Sequence, residues 1–168
     1  MQTALALPVN PLAALKAKSD VVHLRTERPI QLIDITELVA ERVRRSGIAH
    51  GLVCVQTLHT TAAILVNENE PLLLEDIQHA LERLVPSDLR CAHDDLGRRA
   101  DVAAAERING HAHLKALLLS PSTTLSVVEG QVLLGRWQRL FLAELDGGQM
   151  RSLAVLVLGV PREKPCWN

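Results

Sequence analysis

The sequence predicts an α+β domain whose sheet is mainly antiparallel. Three observations point there: strand-like runs rich in Val, Ile, Leu and Thr, only three segments with helical spacing, and hairpin-length turns joining the last four strand runs. With 168 residues, 48% of them hydrophobic, the chain can bury one good core and is too short for two comfortable domains.

The elements follow in order. Residues 1–19 combine Ala and Leu without amphipathic period, interrupted by Pro8 and Pro11, and read as an arm ahead of a domain spanning 20–168. Val21 to Arg28 and Ile30 to Ile33 are strand candidates separated at Pro29. Asp34 with Glu37 three residues on reads as a capping box, followed by Leu38, Val39 and Val43 at helical spacing and by Gly47 as a left-handed stop. Gly51 to His59 and Ala62 to Val66 are strands on either side of His59-Thr60-Thr61. Pro71 opens a second helix whose apolar stripe is Leu73, Leu74, Ile77, Leu81, Leu84 and Val85. The charged stretch 87–110 is a long loop, of the kind that is usually functional or disordered. His111 to Leu119 is a short helix stopped by Pro121. Thr123 to Val128, Gln131 to Leu134, Arg136 to Leu145 and Met150 to Leu158 complete the strands, with turns at Glu129-Gly130 and Asp146-Gly147-Gly148.

Composition narrows the partners. Phe141, Trp137 and Trp167 are the only aromatics, too few for base-stacking platforms, and a net charge of −1 with interspersed signs gives no footprint for nucleic acid or an anionic membrane. No apolar run approaches the ~20 residues of a membrane span. Cys54, Cys91 and Cys166 lack paired spacing, so reduced thiols in the cytoplasm and a small-molecule partner are expected.

Chemistry concentrates in a few places. His59 stands where two strands meet, with the polar end Asn67-Glu68-Asn69-Glu70 after it; alone, such a histidine is more often a hydrogen-bonded structural residue. Cys91 to Asp95 gathers a thiol, an imidazole and two carboxylates. His111 and His113, at i and i+2, point some 200° apart on a helix by ~100° per residue, so one of them can share a site. Neither group has a recognised zinc spacing. Strand alternation places Gln138, Leu140, Leu142 and Glu144 with Arg136 on one face, and Trp137, Arg139, Phe141 and Ala143 on the other. The plain reading is a packed strand with frayed polar ends.

Taken together, His59-Thr-Thr-Ala-Ala, Asn67-Glu68-Asn69-Glu70, His93-Asp94, Asn109-Gly-His-Ala-His113-Leu-Lys115-Ala, Gly135-Arg136-Trp137-Gln138 and Phe141-Leu-Ala-Glu144-Leu-Asp-Gly147 resemble the YjbQ-type family over about residues 20–160. The resemblance implies a sandwich-like α+β fold with about three helices, assembled as a homotrimer with sites where subunits meet. It also implies secondary thiamine-phosphate synthase activity, and nominates His59, Asn67, Glu68, His93, His113, Gln138 and Glu144. Of these, His59, Asn67, Glu68, Gln138 and Glu144 are the catalytic candidates. His59, His93 and His113 would hold a divalent metal, zinc, magnesium or manganese. Thr60, Thr61, Lys115 and Arg136 would bind substrate phosphate. The pattern departs from the family at Arg136, where Thr is usual, at Ser120, where Gly is usual, and at Gly148-Gln149, where Pro-Arg is usual.

Three functions compete. One joins a pyrimidine-methyl diphosphate to a thiazole phosphate with loss of pyrophosphate, which requires charge neutralisation at the leaving group. The second is metal-dependent hydrolysis with Glu68 as base. The third is non-catalytic binding of a metabolite. At 168 residues, a TIM-barrel synthase, which needs ~250, is excluded.

Overall fold

The period-two runs of the sequence become two antiparallel sheets in a computed structural model that describes residues 15–162. In chain order come β1 (Lys16–Arg25), β2 (Gln31–Asp34), α1 (Thr36–Ser46), β3 (Ile48–Thr57), β4 (Ala62–Glu68) and α2 (Pro71–Leu84). After a long loop follow α3 (Gly110–Leu117), β5 (Ser122–Val128), β6 (Gln131–Val132), β7 (Gln138–Glu144) and β8 (Met150–Pro161). The loop holds only two single 3₁₀ turns, Ala92–Asp94 and Leu96–Arg98. One sheet runs β1-β8-β3-β5-β6 and the other β2-β7-β4.

Two clusters of apolar side chains define the layers. Val53 and Val55 of β3 and Leu153, Val155 and Val157 of β8 meet Ile64, Leu140 and Leu142 of the smaller sheet, with Val39 and Val43 of α1 closing the side. On the opposite face of that smaller sheet, Ala63 and Ala143 pack under Leu81 of α2 and Ala112 of α3. The three-stranded sheet is therefore a middle layer. This is why every residue from Leu140 to Glu144 is buried, Glu144 included, where the sequence predicts a frayed polar end. Trp137, which strand alternation places on one face with Phe141, is 61% exposed, because it lies in the turn before β7.

Local chemistry sets the element ends. β2 runs through Asp34, which pairs with Phe141, so α1 cannot begin there; its first residue is Thr36 and the expected Asp34–Glu37 capping box does not form. The Asp34 carboxylate instead accepts from Thr36 N at 2.8 Å, while Glu37 reaches Arg44. Gly47, at φ 71°, ends α1 as predicted. Pro71 is the first residue of α2, and the Glu70 carboxylate caps it by accepting from Leu72 N at 3.0 Å and Leu73 N at 2.8 Å. β1 begins at Lys16, so residues 16–19 of the expected arm pair with β8, and residues 1–14 lie outside the described residues. Gly51 and Gly159 face each other across β3 and β8 so closely that a Cβ on Gly51 would sit 2.0 Å from the Leu158 carbonyl oxygen.

One polar group lies wholly inside. Glu144 at the end of β7 is 0% exposed and forms a two-point ion pair with Arg151 of β8, with Nε to Oε2 at 2.6 Å. Thr26 Oγ1 donates to the same carboxylate at 2.7 Å, and the Leu145 and Asp146 N–H groups donate at 2.9 and 2.8 Å. Burial alone would push the Glu144 carboxyl up, but Arg151, Thr26 and the Asp146 N–H outweigh it and hold it below the usual carboxylate range. Breaking one partner of such a pair costs about 3–5 kcal/mol because the other charge is left buried and alone. Arg151→Met is expected to lose that much stability in urea unfolding, and the double variant Arg151→Met/Glu144→Leu to recover most of it.

Candidate functional site

β3 ends at Thr57, and the chain turns through Leu58 to Thr61 before β4. The turn is tied to β8 at each step. Leu58 N donates to the Ser152 carbonyl at 3.0 Å, and Ser152 N donates to His59 Nε2 at 2.8 Å. Arg151 Nη2 donates to Thr61 Oγ1 at 3.0 Å. The half-buried His59 ring is held below its usual pKa, first by burial and then by the Arg151 guanidinium, with Glu144 opposing.

Across from it stands His113, one turn into α3. The two imidazoles line an open cleft of about 580 Å³ together with Gln56, Leu58, Thr60, Ala116, Leu117, Leu119 and Pro121. The His93 ring packs edge-on against His113, with centroids 4.7 Å apart, and its buried Nε2 has no hydrogen-bond partner among the described residues. His113 is held below its usual pKa by burial and then by His93, with Asp146 opposing. Both cleft histidines are thus neutral at pH 7, each with one N–H and one lone pair, the lone pair of His59 being taken by the Ser152 N–H. A larger cavity, about 770 Å³, opens in the 87–110 loop between Cys91, Asp94, Asp95 and Arg98. It holds no imidazole, and Asp94 is already engaged by Gly110 N at 2.8 Å.

The structure thus gathers His59, Thr60 and His113, with His93 behind, and separates the other candidates. Thr61 and Glu144 lie beside this turn but are turned inward onto Arg151. Lys115 is 0% exposed and clamps α3 to α2, with Nζ 2.8 Å from Glu82 Oε2 and 3.0 Å from Ser87 Oγ. These three hold the fold, and none presents a polar atom to the cleft. Asn67, Glu68 and Gln138 sit at the far end of the β4–β7 ladder, where Glu68 pairs with Gln138. Six residues of strand put them roughly 20 Å from His59. Arg136 lies in the turn before β7 and stacks on Trp137 at 4.8 Å, and Gln138 Oε1 accepts from Gly135 N at 2.7 Å.

The expected metal trio does not converge within one subunit. The Ser152 N–H occupies His59 Nε2, the His93 ring packs on His113, and among the described residues no three His, Cys, Asp or Glu side chains converge. The groups of one subunit do not fit a zinc, magnesium or manganese centre. Of His111 and His113, only His113 reaches the cleft, as the helical angle required. The residues that sequence reasoning missed are the walls. Ala116 and Leu117 stand three and four residues past His113 and so share its helix face, a signal present in the spacing. Thr57 also lines the cleft, and its buried hydroxyl has no partner among the described residues. No local signal marks Arg151.

A family model described as UPF0047 protein YjbQ-like matches residues 20–160. The chain is 43% identical over 138 residues to a UPF0047 protein of Methanothermobacter thermautotrophicus, covering 82% of this chain and 90% of that one. To a UPF0047 protein of Archaeoglobus fulgidus it is 41% identical over 135 residues, covering 80% and 97%. Among solved structures it is similar to a YbjQ-like protein of unknown function from Sulfolobus solfataricus, with TM-score 0.79 and 34% identity over 87% of this chain and 99% of that one. A hypothetical protein from Aeropyrum pernix gives TM-score 0.75 and 35% identity, over 84% and 98%.

The Lys115 clamp has a pH signature. Its hydrogen bond, helped by the Ser87 N–H, pulls the Glu82 carboxyl down to about 2. A depressed carboxylate stabilises the fold fully above its unfolded pKa, about 4.3, and loses that contribution as pH falls toward the folded value. The stability difference between wild type and Glu82→Gln is therefore expected to be greatest above pH 5 and to vanish near pH 2, as measured by urea unfolding across that range.

Proposed function

The chain belongs to the UPF0047 family of YjbQ-like proteins, and from that premise we propose that it is an enzyme that acts on a small phosphorylated molecule in the His59–His113 cleft, assembled as a homotrimer in the cytoplasm. One observation carries the reading: two neutral imidazoles from separate elements face a single open cleft, and the local hydrogen bonds hold one of them in place. Such a pair can donate to a developing phosphate oxygen and accept a proton in the same step.

Assembly is supported by what one subunit leaves uncovered. Leu117 is 78% exposed and Leu58 50% exposed beside the cleft, and Val21, Leu52, Leu156 and Leu158 are exposed on the outer face of the five-stranded sheet. From Leu52 onward the outward positions of β3, and those of β5 and β8, carry no Asp, Glu, Lys or Arg. Apolar faces of this extent mark contact with another chain. Neighbouring copies would also bring the Asn67-Glu68-Gln138 end of one subunit toward the cleft of another, which 20 Å of strand prevents within a chain. Lys115, Arg151 and Arg99, the last acting on His113, are all committed to carboxylates, so charge on a leaving phosphate falls to imidazole N–H groups, to a neighbour's Arg136 or to a divalent ion that several subunits hold together. Free Cys54 and Cys91 suit a reducing compartment.

The reaction we assign is the one the family resemblance implies. The bond from the pyrimidine methylene carbon to the diphosphate oxygen breaks, pyrophosphate leaves with the electron pair, and the thiazole nitrogen bonds to that carbon. Purified protein given the two substrates is expected to form thiamine phosphate, and His113→Ala to slow it by about 10²–10⁴-fold with the fold intact. No product from wild type would sink the transferase reading, and phosphate release from simple esters instead would make the protein a hydrolase. Light scattering at micromolar concentration is expected to give three times the 18.4 kDa chain mass; a monomer would overturn the assembly.

A further inference from the structure

We propose that His59 serves the cleft as a fixed hydrogen-bond donor, offering Nδ1–H to an anionic ligand oxygen such as that of a phosphate or phosphate ester, and that it is neither a metal ligand nor a base. The inference rests on the cleft being the substrate site, and it assigns one side chain a single role there.

The geometry leaves little choice. A backbone N–H can only donate, so the Ser152 N–H, 2.8 Å from His59 Nε2, requires a lone pair on that nitrogen. The single proton of the neutral ring must then sit on Nδ1. An imidazolium would set an N–H against the Ser152 N–H, so the bond itself disfavours the charged form. Burial and the Arg151 guanidinium act in the same direction, against the weaker pull of Glu144. Among the described residues Nδ1 makes no hydrogen bond, and it is absent from the buried atoms that lack one, which leaves it facing the cleft its ring lines.

The donor is also held rigidly. The same Ser152 residue binds the turn twice, its carbonyl accepting from Leu58 N at 3.0 Å and its N–H donating to the ring. Its hydroxyl is engaged on the outer side with His23 Nδ1 at 3.0 Å. Thr61, two residues on, is fixed by Arg151. A donor pre-set in this way costs no reorganisation when charge develops on the ligand, which is where such groups gain 10²–10³-fold in rate. To ligate a metal, His59 would have to surrender either the Nδ1 proton or the Ser152 bond. The two histidines therefore divide the work, His59 donating and His113 accepting.

The test reads the proton directly. Long-range ¹H–¹⁵N correlation on labelled wild-type protein at pH 7, with His59 assigned by its loss in His59→Phe, is expected to show the Nδ1–H tautomer. Inorganic phosphate is expected to shift that signal, while zinc leaves it in place. Phosphate affinity is expected to fall about ten- to a hundredfold in His59→Phe, the worth of a hydrogen bond to a charged group, and to be largely restored in His59→Asn, whose amide N–H lies near the Nδ1 position. An Nε2–H tautomer, zinc displacing the Ser152 amide bond, or a phosphate shift at His113 alone would overturn the inference and leave the cleft reading standing. No phosphate-dependent change at either histidine would overturn both.

Discussion

The buried ion pair between Arg151 and Glu144 is the interaction on which the molecule depends. It lies where the end of β7, the start of β8, the residue after β1 and the turn before β4 come together, and a carboxylate there is tolerable only because five donors surround it. With the pair in place, the two sheets are joined by a directional contact as well as by apolar packing. Its second guanidinium nitrogen continues outward to Thr61, so the same group that fixes the sheets fixes the turn carrying His59. Stability and site geometry share one side chain.

The three-layer arrangement decides where a site can form. With the small sheet buried on both faces, its strands offer ligands only at their ends, and the two ends differ. One opens beside α3, where short residues leave room for an imidazole from each side. The other closes on itself, with Gln138 turned back to Gly135 and Arg136 laid on Trp137. α3 can approach the first end because Lys115 ties it to α2, a link that removes the helix's only lysine from solvent.

Much of this was legible in the sequence. The strands, Gly47 as a stop, Pro71 as a start and the limit that only one of His111 and His113 can share a site all follow from periodicity and backbone chemistry that neighbours within a few residues decide. Glu144 and Lys115 were not legible, because whether a charged side chain serves a ligand or a distant partner depends on residues 7 and 33 positions away in sequence, which no local pattern records. The Asp34–Glu37 box failed for a related reason: β2 pairs through Asp34, and a ladder overrode a capping preference. His59 was singled out by its setting between strands and nominated by the family resemblance, yet its tautomer was hidden, since that rests on one N–H of a strand 93 residues later.

The close approach of Gly51 and Gly159 acts as a key in a lock for the central sheet. β3 and β8 carry Val, Leu and Ala at so many positions that sliding one past the other by two residues would still bury apolar against apolar. Only one alignment, however, brings two residues without Cβ atoms together where the backbones touch. Any slip would drive a side chain into a carbonyl oxygen. The alignment of Ser152 with the His59 turn, at the opposite end of the same pair of strands, is thereby set by two glycines that never come near the cleft.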